Sequence, residues 1–161
     1  IVKLFCLERK LHMILEKVTE KRRQMLSDIV KLWEDSVRKT HTFLSEEEII
    51  KLRPLVSLAV KKVEMLLIAK EENGTLMGFM GIENQKIEML FVCPAFFGKG
   101  IGKALLLSAV EQYDAIFVDV NEQNSKALEF YKRNGFSVIS RSKTDRAGNP
   151  FPILHMKWGK A

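Results

Sequence analysis

One passage restricts the fold more than any other. An apolar run, KIEMLFV (Lys86 to Val92), steps through Cys93 and Pro94 into FFGKGIGKALL (Phe96 to Leu106) and continues as helix formers to Tyr113. A second apolar run, AIFVDV (Ala115 to Val120), follows at once. Strand, glycine-rich loop, helix and strand in that order make a crossover, and a helical crossover joins parallel strands. The two strands therefore sit side by side in an α/β sheet, with the glycine loop beyond the carboxyl end of the first, where open α/β sheets take their ligands.

The flanking sequence adds antiparallel partners. Ile14 to Val18 reads as a first strand. Met25, Ile29, Leu32, Trp33 and Val37 then recur at three- and four-residue steps, the spacing of an amphipathic helix. SEEE (Ser45 to Glu48) is a capping box opening a second helix, which Pro54 is expected to bend or shorten. MLLIAKE (Met65 to Glu71), TLMGFMGIE (Thr75 to Glu83) and the strand from Lys86 are divided by Asn73-Gly74 and Asn84-Gln85, as hairpin-linked strands are. NSKALEFYKRNGF is a helix closed by Gly135 in a left-handed cap, and FSVISRS and FPILHMKW are final strands around RAGNP. The sum is an α/β fold of about four helices on a mixed, mostly antiparallel sheet with a parallel pair at its centre.

A length of 161 residues with 47% hydrophobic and 29% charged residues suits one compact domain and leaves no apolar stretch long enough to span a bilayer. Residues 1 to 12 read as an N-terminal extension and 13 to 161 as a single domain. Glu8, Arg9 and Lys10 interrupt the apolar start and argue against an export signal. Cys6 and Cys93 lie far apart and outside any C-x-x-C pattern, which points to the cytoplasm rather than to a disulfide framework. His12, His41 and His155 lack metal-ligand spacing and read as surface or packing residues, so no metal is expected. The net charge of +6 is dispersed rather than gathered into a nucleic-acid stripe, so it serves either a small polyphosphate ligand or solubility alone.

Gly98, Gly100 and Gly102 permit left-handed backbone and close approach by a ligand. Where such a loop opens a helix, the first-turn N–H groups have no internal partner and the dipole adds partial positive charge, which together attract phosphate. Lys99 and Lys103 reinforce it. Two phosphate loops are excluded by spacing. A Walker A loop needs glycine where Phe97 stands and Ser or Thr where Ala104 stands, and a dinucleotide fingerprint needs glycine at Lys103 or Gly/Ala at Leu105. The remaining pattern, a strand followed by V-x-P and G-K-G-I-G-K-A-L-L, resembles the pyrophosphate loop of the GNAT superfamily of acyl-CoA-dependent N-acetyltransferases. The usual Q/R-x-x-G-x-G/A falls on Phe97, Gly98, Lys99, Gly100, Ile101 and Gly102, with both glycines matched and Phe97 a departure.

A second constellation follows the next strand. In VNEQNSKALEFYKRNGF, helical spacing sets Asn124, Leu128 and Tyr131 on one face. This resembles the second GNAT motif, N-x6-Y followed by K-x-x-G-F, here Asn124, Tyr131, Lys132, Gly135 and Phe136. LWEDSVRKTHTFLS and GNPFPILHMK further resemble a small bacterial branch of that superfamily. The resemblance implies that the central parallel pair splays and its first strand carries a bulge. It also implies that Leu90, Phe91 and Val92 line the acyl arm with Phe97 to Lys103 at the diphosphate, and that Asn124 bonds the pantetheine. Asn124 has a second reading as an N-cap, and Tyr131 as a packing residue.

The implied reaction moves an acetyl group from acetyl-CoA to a primary amine by direct attack. The N–H of Leu90 or Val92 would stabilise the oxyanion, and Tyr131, whose phenol is protonated at neutral pH, would serve as general acid. Strand alternation places Glu88 on the face of Leu90 and Val92, making it the candidate base. The acceptor would be held by the first two helices, the loop around Thr40 to Leu44 and the last hairpin near His155. The expected partners are acetyl-CoA and an amine, with neither membrane nor nucleic acid, in a monomer or homodimer. Two other functions share the cleft: a non-catalytic acyl-CoA sensor, and an RNA-directed, toxin-like acetyltransferase.

Overall fold

The computed structural model describes residues 12–159, so the reading of residues 1 to 12 as an extension lies, His12 apart, outside the described residues. The chain runs β1 (Met13–Lys17), α1 (Arg22–Thr40), α2 (Glu46–Lys62), β2 (Met65–Glu71), β3 (Leu76–Glu83) and β4 (Lys86–Val92). A 3₁₀ turn (Pro94–Phe96), α3 (Ile101–Tyr113), β5 (Phe117–Asn121), α4 (Ser125–Arg133), β6 (Phe136–Ser142) and β7 (Ile153–Trp158) complete it. Element order agrees with the sequence reading throughout, with boundaries moved by a residue or two. The capping box is present: Glu48 N–H donates to Ser45 Oγ at 3.2 Å, and Ser45 N–H donates to Glu48 Oε2 at 2.7 Å. Pro54 sits inside an unbroken α2, on its exposed side. There the carbonyl that loses its N–H partner to proline can bond water instead.

The seven strands form one sheet in the order β1-β2-β3-β4-β5-β7-β6, antiparallel everywhere except between β4 and β5. That parallel pair holds register only at Lys86↔Phe117 and Ile87↔Val118. The other edge of β4 shows why: against β3, Gly81 pairs with Met89 but Ile82 pairs with Ile87, so Glu88 is an extra residue in a β-bulge. A bulge bends its strand and raises local twist, and here it turns the end of β4 away from β5. The expected splayed pair at the centre of a mixed α/β sheet is thus observed.

Two cores flank the sheet. The first joins α3 and α4 to one face through Ile101, Leu105, Ala109 and Tyr131, packed with Met80, Ile87, Val118, Val120 and Met156. The second joins α1 and α2 to the other face through Ile29, Trp33, Val37, Ile49 and Val60, packed with Leu66, Ile68 and Phe79. No residue of β5, β6 or β7 belongs to the second core. The α1/α2 layer therefore stops at β4 and leaves one face of the C-terminal strands open.

Candidate functional site

The glycine loop begins where β4 ends. Cys93 N–H donates to Met77 O at 2.8 Å, and the 3₁₀ turn then carries the chain into Gly98 (φ 74°) and Gly100 (φ 80°). Gly100 is the N-cap of α3. A Cβ at either glycine would meet no atom within 4 Å, so the left-handed backbone and the open space beside it, rather than packing, account for glycine there. Gly102 differs, since it is helical and its Cβ would lie 3.5 Å from Phe130 Cζ and 3.6 Å from Val92 Cγ2. It is a point of close helix contact.

Among the described residues, the N–H groups of Gly98, Gly100, Ile101, Gly102 and Lys103 find no acceptor in the protein, whereas Lys99 N–H bonds Phe96 O at 3.3 Å. Five unpaired donors in six residues at the positive end of α3 are the arrangement that suits an anion. Lys103 is exposed beside them, and the Lys99 ammonium lies 5.1 Å from the centre of the Phe96 ring. The Ile101 side chain is buried in the first core, so only its N–H can serve a ligand, and Phe97 projects into solvent.

Beyond Ile87 the β5-facing edge of β4 has no strand partner, and the resulting gap is a cleft of about 240 Å³. His41, Leu90, Phe91, Asn121, Asn124 and Tyr131 border it. Leu90 and Val92 pack toward the first core, and Met89 and Phe91 toward the second. The cleft thus passes through the sheet from one face to the other. Tyr131 enters from α4, wedged edge-on between Phe130 and Phe136 with ring centres 5.2 and 5.4 Å away. Burial pushes its phenol well above the ordinary range, which keeps it a hydrogen donor at any physiological pH. Asn124 is the N-cap of α4, its side-chain oxygen accepting from Ala127 N–H at 3.1 Å. The capping reading therefore holds for the oxygen, while among the described residues Nδ2 has no partner and is available to the cleft.

Glu88 requires a correction. The bulge resets the alternation, so Ile87 shares the first-core face with Leu90, and Glu88 lies on the opposite face with Lys86 and Met89. There its Oε1 accepts from Arg146 Nη2 at 3.2 Å. Val118, Val120 and Met156 are buried in the first core and Leu154 is buried too, so Asp119 and His155, which alternate with them, point to this same open face. His155 Nδ1–H donates to Asp119 Oδ1 at 2.7 Å, Lys86 Nζ donates to Asp119 Oδ2, and Ser142 Oγ lies 2.7 Å from His155 Nε2. Burial works against the Asp119 carboxylate, but hydrogen bonds from Lys86 and His155 outweigh it and hold its carboxyl below the usual range.

Two adjoining hollows of about 420 and 600 Å³ are both lined by Lys86, Glu88, Asp119, Arg146 and His155. Glu88 and Asp119 also border the cleft, so trough and cleft are continuous. Sequence reasoning missed Lys86, Asp119, Ser142 and Arg146, and it took His41 and His155 for surface or packing residues. A signal was available: one polar residue between buried neighbours, Asp119 in β5 and His155 in β7, marks the open face of each strand.

Comparison with known proteins bears on this geometry. Residues 39–159 match the family model described as "Acetyltransferase (GNAT) domain". The chain is 36% identical over 131 residues to the peptidyl-lysine N-acetyltransferase YjaB of Escherichia coli, covering 81% of this chain and 88% of that protein. It is 30% identical over 142 residues to the peptidyl-lysine N-acetyltransferase YiaC of Escherichia coli, covering 88% and 95%. The solution structure of apo-form YjaB superposes with a TM-score of 0.80 at 33% identity, over 92% of this chain and 99% of that one. Among the described residues, no helix is long and apolar enough to cross a membrane.

Proposed function

The chain belongs to the GNAT superfamily of N-acetyltransferases, and on that premise we propose that it moves the acetyl group of acetyl-CoA onto the side-chain amine of a lysine in a peptide or protein. The observation that carries the cofactor half is the set of five unpaired N–H groups from Gly98 to Lys103, opening beside the cleft that holds Tyr131. Acetyl-CoA supplies the acetyl group activated as a thioester. Everything else falls to the chain.

The free amides of Gly98 and Gly100 to Lys103 bind the diphosphate, with the α3 dipole and the ammonium groups of Lys99 and Lys103 adding charge. Leu90, Phe91 and Val92 line the path of the acyl arm, and Asn124 Nδ2 donates to it. The splay frees backbone N–H groups of β4, and that of Leu90 or Val92 is the oxyanion donor, a role typically worth about 3 kcal/mol of barrier. Tyr131, which burial keeps protonated, gives a proton to the departing sulfur.

The amine enters from the other side of the sheet. Glu88 and Asp119 set carboxylates at the join of trough and cleft, and there they receive a lysine ammonium before reaction. The lysine assignment rests on YjaB and YiaC, whose names state a peptidyl-lysine acceptor.

The test is acetyl-CoA with single-lysine peptides, read by mass spectrometry. Acetylation on the lysine side chain is expected, and Tyr131→Phe should slow it by about 10²-fold or more with CoA affinity unchanged. A Tyr131→Phe enzyme with wild-type turnover removes the phenol from the mechanism, and a wild-type protein that acetylates no peptide removes the acceptor assignment.

A further inference from the structure

We propose that His41, rather than Glu88, takes the proton from the attacking amine. The inference rests on the acetyltransferase reading above and concerns which group on the amine's side of the sheet acts as base.

Position comes first. His41 closes α1, its N–H bonded to Val37 O at 2.8 Å, and the turn that follows lays its ring over the second-core face. The ring centre is 5.5 Å from Phe43 and 6.4 Å from Phe91. Phe91 packs toward the second core and Tyr131 belongs to the first, yet His41 and Tyr131 border one cleft of about 240 Å³. His41 and Tyr131 therefore border the same small space from opposite faces of the sheet. An amine arriving on one side and a thiol leaving on the other need that arrangement of base and acid.

Hydrogen bonding then favours one tautomer. Thr40 has one hydroxyl hydrogen, and Thr40 Oγ1 donates it to Ser36 O at 2.9 Å. The same oxygen lies 2.7 Å from His41 Nδ1, and both contacts are satisfied together when Nδ1–H donates to it. Nε2 is left with its lone pair and, among the described residues, no partner. Burial lowers the pKa of the ring, so at neutral pH the imidazole is uncharged and ready to accept a proton. Glu88, by contrast, already has an oxygen engaged by Arg146.

The protons balance. One N–H bond of the ammonium breaks and its proton passes to Nε2, and from there to water. The freed electron pair forms the C–N bond while the carbonyl π pair moves onto oxygen, and as that pair returns the C–S bond breaks and the sulfur takes its proton from Tyr131. A second proton, shed by the nitrogen as it becomes an amide, restores the phenol through water, and the third hydrogen stays on the product.

The test has two arms. In the free protein, ¹⁵N NMR of the His41 ring should show the Nδ1–H tautomer, neutral at pH 7 and titrating below the ordinary value of about 6.5. An Nε2–H ring, or one titrating above that value, overturns the proposal. In turnover with a single-lysine peptide, kcat/KM should rise with pH as His41 deprotonates. His41→Ala should lose that rise and about 10²-fold in rate, keep its CoA affinity by calorimetry, and recover activity with added imidazole. His41→Gln, close in size, should show the same loss.

The other titratable groups bordering the cleft are Glu88, Asp119 and Tyr131. Glu88→Gln should raise KM for the peptide yet keep the rise with pH. If Glu88→Gln abolishes the rise while His41→Ala retains it, the base is Glu88 and the proposal fails. A wild-type protein inactive on every peptide defeats the acceptor reading instead, and the NMR arm still judges the ring.

Discussion

The two halves of the sheet are built to different rules. In the first half β2 and β3 are covered on both faces, by α1 and α2 on one side and α3 on the other, and residues such as Leu66, Ile68 and Met77 are wholly buried. In β5 and β7 one face is covered and the other is open, carrying Asp119 and His155, with Ser142 of β6 joined to them by hydrogen bonds. The halves meet in only two parallel residue pairs. Covered strands can hold a fold but offer no access, and an open polar face offers access but buries little apolar surface. The proposed chemistry falls at the seam, where a firmly held strand, β4, presents unpaired backbone next to an open face.

That division can be broken by experiment. Leu66→Ala, in the covered half and away from the cleft, should cost about 2–5 kcal/mol of stability by chemical denaturation. Its folded fraction should retain wild-type CoA affinity, and a large change in affinity at unchanged stability would mean that the covered half is part of the site. Gly100→Val should do the reverse. A β-branched residue at φ 80° is strained by about 1–3 kcal/mol; the free loop relaxes to relieve it, CoA must restore the binding shape, and affinity falls roughly 10- to 100-fold by calorimetry. Affinity equal to wild type would place the phosphates elsewhere.

Gly102→Ala sharpens the contrast within the loop. At a helical position with ordinary contact distances, alanine should raise stability by about 0.5–1 kcal/mol and leave CoA affinity unaltered. A loss of affinity there would show that the ligand needs all three glycines bare.

The covered half, the crossover and the glycine loop were legible in the sequence because each depends on local signals. Period-2 and period-3.6 apolar spacing, the Ser45/Glu48 capping box and Gly135 (φ 92°) are read within a few residues, and all appear in the structure. The seam was legible only by resemblance, and its consequence for Glu88 was not. Strand alternation assumes an uninterrupted pleat, and the one extra residue in β4 moved the carboxylate to the other face. The polar network was invisible for another reason: Asp119 and His155 lie 36 positions apart and meet only through β5–β7 pairing. His41 escaped notice because its use depends on where the α1–α2 turn lays the ring, and on the single hydrogen of Thr40.

The central claim is that the free amides at the start of α3 hold the diphosphate and so deliver the reactive sulfur into the gap between β4 and β5. A crystal structure of the protein grown with coenzyme A tests it most directly. Diphosphate oxygens are expected within hydrogen-bond distance of the amides of Gly98, Gly100, Ile101, Gly102 and Lys103, and the sulfur in the cleft beside Tyr131. Coenzyme A seated on another surface, with that loop bare and Tyr131 remote from the sulfur, would contradict it.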